Sequence, residues 1–117
     1  MLEEDVSRFL NEFKTKLEIW GVLFRDDRGK NFQSLADLEI TPSNRMDILK
    51  NLQLEDYSEG PLEEKLNGGE DMWVFGRIIK SKEVYIKISY GRLGTSVICI
   101  SFHIAEYKME YPLKKIL

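Results

Sequence analysis

Leu2, Val6, Phe9, Leu10, Phe13 and Leu17 recur at steps of three and four, the spacing that gathers side chains on one face of an α-helix. Glu3, Glu4 and Asp5 stand where negative charge complements the N-terminal end of the helix dipole, so the pattern predicts a helix over residues 3–18. Residues Ile19 to Arg25 are apolar and rich in aromatic and β-branched types, and Asp26-Asp27-Arg28-Gly29 follows as a turn. This segment reads as a strand or an extended link. Phe32, Leu35 and Leu38 fit a short helix. Thr41-Pro42 supplies an N-cap residue and a proline at the first helical position, predicting a helix over 42–52 that turns Met46, Leu49 and Leu52 to the core. The stretch from Glu55 to Asp71 is acidic, and Leu62 to Leu66, between Gly60-Pro61 and Gly68-Gly69, accommodates one or two helical turns.

From Met72 the period changes to two. Residues 73–80, 83–90 and 95–104 form three β-rich runs separated by Ser81-Lys82 and by Gly91-Arg92-Leu93-Gly94, the pattern of an antiparallel meander. Val84, Ile86 and Ile88 share one face of their strand, with Tyr85, Lys87 and Ser89 on the other. In the next run Ile98, Ile100, Phe102 and Ile104 form an apolar row opposed by Val97, Cys99, Ser101 and His103. Closing the loop with Tyr90 opposite Ser96 sets Lys87 against Cys99, Tyr85 against Ser101 and Glu83 against His103, so Tyr85, Lys87, Ser101 and His103 converge. Helices first and sheet second predict an α+β fold: N-terminal helices packed on one face of a C-terminal curved antiparallel sheet, in one domain spanning residues 1–117.

The 117 residues, 43% apolar and 32% charged, suit a single hydrophobic core and argue against disorder. No apolar run approaches the ~18–20 residues that cross a bilayer, and acidic residues stand where a signal peptide carries positive charge; no membrane association and a cytoplasmic location are expected. One cysteine and one histidine supply neither a disulfide nor a zinc ligand set, so no metal and no cofactor is expected. The net charge of −3 conceals a division. Residues 1–71 carry 9 Lys/Arg and 17 Asp/Glu, a balance of −8, whereas residues 72–117 carry 8 and 3, a balance of +5. The basic part suits a polyanion, and the plainer alternative is acidic helices and basic strands that merely solvate their own elements.

The cluster on the polar strand face points to RNA cleavage. A 2′-hydroxyl attacks the adjacent phosphorus once a base removes its proton, an acid serves the departing 5′-oxygen, and cations steady the phosphorane; no metal is required. His103 is the candidate acid or base because an ordinary imidazole titrates near neutrality. Tyr85 orients the phosphate or shares proton transfer, Lys87 with Arg77, Lys80 or Lys82 holds phosphate charge, and Trp73 or Phe75 stacks a nucleobase. Each also has a plainer reading: a structural histidine, a half-wet strand tyrosine, solubilising lysines, and a core tryptophan and phenylalanine. Cys99 reads as a small apolar residue. Gly68-Gly69 lacks the lysine of a phosphate loop and reads as a helix stop.

Ile48-Leu49-Lys50-Asn51-Leu52 leading to Glu55-Asp56-Tyr57, then Trp73, Val84-Tyr85-Ile86-Lys87-Ile88 and Ile100-Ser101-Phe102, resemble the MqsR family of bacterial toxin–antitoxin toxins, within the wider RelE-like group of mRNA interferases. The resemblance runs from the first helix to about Ile104. It implies a RelE-like sheet with helices on one side, a metal-independent endoribonuclease acting on mRNA, and neutralisation by a cognate antitoxin. Tyr85 falls on the family's active-site tyrosine, and His103 falls where the family has a basic residue after its Ser-Phe pair. Two positions depart: Glu59 stands for a family lysine and Val74 for the glutamine beside the tryptophan. The segment after Ile104, with Tyr107, Tyr111-Pro112 and Lys114-Lys115, extends beyond the match, to cover a sheet edge or add RNA contacts. The alternatives are a noncatalytic protein- or RNA-binding module and a degenerate toxin that retains only antitoxin binding.

Overall fold

The computed structural model describes residues 2–26, 29–63 and 69–114. Three helices, α1 (Leu2–Trp20), α2 (Gly29–Leu38) and α3 (Pro42–Lys50), are joined by five strands, β1 (Val22–Phe24), β2 (Tyr57–Leu62), β3 (Met72–Ile79), β4 (Lys82–Ser89) and β5 (Val97–Ile104), among the described residues. The strands form one sheet in the order β1-β5-β4-β3-β2. β2 to β5 are antiparallel, as an α+β meander requires, but β1 runs parallel to β5, so the sheet is mixed. The segment read at Ile19 divides: Ile19 and Trp20 belong to α1 and only Val22–Phe24 is strand.

The apolar stripe of α1 behaves as its period dictates. Val6, Phe9, Leu10, Phe13 and Leu17 are buried, while Leu2 at the first turn is exposed. They pack on the sheet face made by Trp73, Phe75, Val84, Ile86 and Ile88, where Phe9 stacks on the Trp73 indole at 4.8 Å and 18°. Burying each such side chain stabilises the fold by about 1.5–3 kcal/mol, which makes this layer its main apolar core. The other sheet face carries no helix from this stripe and is left for the cleft described below.

The helix α2 is present where Phe32, Leu35 and Leu38 predict it, yet its inward face is polar. Phe32 is 68% exposed, whereas Asn31 and Ser34 are buried. Asn31 Nδ2 donates to Ile100 O (3.0 Å) and to Arg25 O (2.7 Å), Asn31 Oδ1 accepts from Phe102 N–H (3.1 Å), and Ser34 Oγ accepts from Ile104 N–H (3.0 Å). β1 pairs only with Val97 to Cys99, so these side chains satisfy the main-chain groups of β5 that β1 does not reach. Thr41 caps α3 as expected; the helix ends at Lys50 rather than at residue 52, and Leu49 within it and Leu52 beyond it are buried. Arg45 is also buried, its guanidinium bidentate on Asp26 (2.7 and 2.9 Å) and 3.8 Å from the Phe24 ring centroid.

Two readings are corrected in this half. Tyr57–Leu62, at the start of the stretch in which one or two helical turns were expected, is a strand preceded by a 3₁₀ turn over Leu54–Asp56, and most of Leu62–Leu66 lies outside the described residues. The β4–β5 register also differs: pairing beside the hairpin loop is already one residue from expectation, and a bulge in β5 adds a second. Tyr85 lies opposite His103 and Lys87 opposite Ser101, but Ile88 lies opposite Cys99 and Ser89 opposite Ile98. The extra residue splits the expected Ile98–Ile104 row, so Val97 and Cys99 join Phe102 in the core. Tyr85 is two residues from its expected partner, Ser101, and a shift of two preserves the face, so the cluster keeps its side. Asp27, Arg28, residues 64–68 and Lys115 lie outside the described residues.

Candidate active site

Beyond β5 the chain does not cap an edge. Residues 105–114 cross the helix-free sheet face as a strap, held first by Ala105 N–H donating to Glu83 O (2.8 Å). The Glu83 carboxylate then accepts from Met109 N–H (2.9 Å) and Tyr111 O–H (2.8 Å), and Ser58 Oγ on β2 donates to Glu110 O (2.7 Å). Gly76 on β3 makes this crossing possible: a Cβ there would meet Tyr111 Oη and lie 2.8 Å from Met109 Sδ. The strap is one wall of a cleft of about 550 Å³, joined to β2 through Ser58 and lined as well by Glu59 of β2 and Lys30 of α2. Its floor is Val74, Tyr85, Lys87, Ser101 and His103, the polar face that the strand alternation exposes.

Within the cleft the Tyr85 and His103 rings stack at 5.2 Å and 14°. Nδ1 of His103 lies 2.9 Å from Ile104 O. A carbonyl only accepts, so Nδ1 carries the proton of that bond and Nε2 is the nitrogen that can exchange one. Burial, then the Glu59 charge, pushes the Tyr85 phenol above its ordinary value, and it remains an O–H donor at neutral pH. Lys30 hydrogen-bonds Glu106, and that contact, then the ammonium charge, holds the exposed Glu106 carboxyl below its usual range.

The structure brings Tyr85, Lys87 and His103 together and leaves the other sequence candidates elsewhere. Arg77 pairs across the ladder with the core residue Val84, which turns it to the helix side, where its Nε lies 3.7 Å from Asp56. Lys80, in the β3–β4 turn, donates to Glu39 O at 2.7 Å. Lys82 pairs with Ile79, a residue packed on the core, and so shares its face. Trp73 is 8% exposed beneath Phe9, and Phe75 is fully buried, so neither presents a face to a base. The cations of the cleft are instead Lys30, Lys87 and Lys108, and they are balanced by Glu59, Glu106 and Glu110. The basic excess of residues 72–117 therefore does not gather on this face.

Sequence pattern gave no signal for Lys30 or Ser58, and it named Tyr107 and Tyr111 only as part of a segment that covers a sheet edge or adds RNA contacts. Glu59 and Val74, the two departures from the resembled family, both line the cleft. Among the described residues no group of three or more His, Cys, Asp or Glu side chains is placed to hold a metal ion. No described helix is long and apolar enough to cross a membrane. Comparisons with family models, curated proteins and solved structures give no match to this chain.

Proposed function

We propose that the chain is a cytoplasmic endoribonuclease of the toxin–antitoxin kind, cutting mRNA without a metal and neutralised by a cognate antitoxin. The observation that carries this reading is the stacked Tyr85–His103 pair beside Lys87 on the floor of one cleft. An imidazole with one nitrogen tied to a carbonyl, a phenol that keeps its proton and an ammonium supply a proton-transfer group, a hydrogen-bond donor and a cation for 2′-hydroxyl attack. His103 Nε2 takes the 2′-hydroxyl proton as the O2′–P bond forms. Lys87 and the Tyr85 O–H face the phosphorane oxygens, and the same proton passes from the imidazolium to the 5′-oxygen as its bond to phosphorus breaks. The products are a 2′,3′-cyclic phosphate and a free 5′-hydroxyl; the stack on Tyr85 keeps the imidazole plane fixed through both transfers.

His103→Ala is expected to lower cleavage of RNA by purified protein at least ~10²-fold, the usual contribution of a general acid or base. Undiminished cleavage in that variant and in Tyr85→Phe overturns the assignment. The equal count of lysines and glutamates in the cleft favours a second reading, a noncatalytic binding module, since a polyanion gains little there from net charge. RNA binding without any cleavage by the intact protein would select it.

A further inference from the structure

We propose that Tyr107 and Lys108 form a subsite for one unpaired nucleotide beside the reacting phosphate, so that the substrate is single-stranded RNA; the inference rests on the nuclease reading above. Tyr107 lines the same cleft as Tyr85 and His103 and is 85% exposed. Among the described residues its ring has no stacking or hydrogen-bonding partner. Its backbone, by contrast, is pinned on both sides. Ala105 N–H and the Lys30–Glu106 pair anchor the chain before it, and the Met109 N–H and Glu110 O bonds anchor it after. An unpartnered aromatic ring carried on an anchored stretch of backbone, in the same cleft as the groups that would act on RNA, offers its face to a base.

The charge of the cleft says which RNA fits. Three carboxylates face three ammonium groups, so the site lacks the cationic track that follows two phosphate strands. Recognition then falls to a single phosphate near Lys87, a second near Lys108 and a base on Tyr107. In a duplex both faces of every base are covered by neighbours, and the ring of Tyr107 reaches one only when the base is unstacked. The aromatic role that sequence assigns to Trp73 passes to a residue outside the strands.

A fluorescently labelled 2′-O-methyl oligonucleotide, which cannot be cut by 2′-hydroxyl attack, tests the subsite by anisotropy at salt from 50 to 200 mM. Tyr107→Ala is expected to weaken binding ~5- to 150-fold, the range of one base–aromatic stack, while Tyr107→Trp retains it. Lys108→Ala is expected to reduce the slope of log K against log salt by ~0.7, the value of one single-strand phosphate contact, and Tyr107→Ala to leave that slope unchanged. Equal affinity in Tyr107→Ala, or equal affinity for the annealed duplex, overturns the subsite. A wild-type protein that neither binds the oligonucleotide nor cuts RNA overturns the nuclease reading with it. One that cuts RNA with a KM unaffected by Tyr107→Ala overturns the subsite alone.

Discussion

Gly76→Ala probes the seat of the strap directly. The new methyl would meet Tyr111 Oη and lie 2.8 Å from Met109 Sδ and 2.9 Å from Met109 Cε. The thioether end of Met109 is flexible and can swing aside. Tyr111 cannot do so freely, because its hydroxyl is bonded to Glu83 Oε2 at 2.8 Å. Admitting the methyl forfeits that charge-assisted bond, which is worth about 1.5–3 kcal/mol. Replacing glycine also restricts the unfolded chain, returning about 0.4–1 kcal/mol. The expected net loss is ~1–2 kcal/mol, read as a lower urea midpoint with an unchanged m-value. In a Tyr111→Phe background the bond is already absent, and Gly76→Ala should then cost far less. An equal cost in both backgrounds, or no cost in either, would refute the placement of the strap. Since His103 and Tyr85 stand on strands and the strap supplies a wall, RNA cleavage by the variant should show a raised KM with kcat changed less.

Asn31→Leu removes the side chain that serves Ile100 O and Phe102 N–H at the edge of β5. It also removes the bond to Arg25 O, and each main-chain group left unpaired costs about 1–3 kcal/mol; a urea midpoint equal to wild type would show that α2 does not cap that edge. Alkaline pH tests the buried phenols. Burial first, then the hydrogen bond to Glu83, raises Tyr111 above its ordinary value; burial first, then the bond to Glu12, raises Tyr90. The folded chain keeps protons that the unfolded chain gives up near pH 10, so their contribution is intact below pH 10 and is lost as pH climbs through the folded values. Each phenol adds at most ~1.4 kcal/mol per pH unit to this limb, less where solvent screens it. Tyr111→Phe should flatten the fall in Tm above pH 10, and an unaltered limb would contradict its link to Glu83.

What sequence could show follows from which residues do two jobs. The α1 stripe and the Val84-Ile86-Ile88 row were legible because each buries one apolar face and wets the other. The inward face of α2 was not, because Asn31 and Ser34 earn their burial through main-chain bonds to a strand seventy residues away. β2 was hidden because Gly60-Pro61 interrupts any strand pattern in Tyr57–Leu62, and the bulge in β5 because the apolar Val97 and Cys99 at its start suit the core as well as Ile98 and Ile100 do. The polar trio Tyr85, Lys87 and His103 was legible because strand parity survives an even register shift. Arg77 and Lys82 were misplaced by the same parity, since both share the ladder positions of core residues. The strap carries no periodicity, so its return across the sheet to wall the cleft is written in its contacts with Glu83, Ser58 and Gly76 rather than in any pattern of its own.

The central claim, that the group of Tyr85, Lys87 and His103 cuts RNA through its own 2′-hydroxyl, is tested most directly by a single-atom change in the substrate. Once the cut position in an oligoribonucleotide is mapped, a 2′-deoxy residue is placed there alone and single-turnover cleavage is followed with the wild-type protein. The account predicts no scission at that bond and, in the unmodified strand, a 2′,3′-cyclic phosphate end. Scission of the deoxy-substituted bond at the unmodified rate would contradict it.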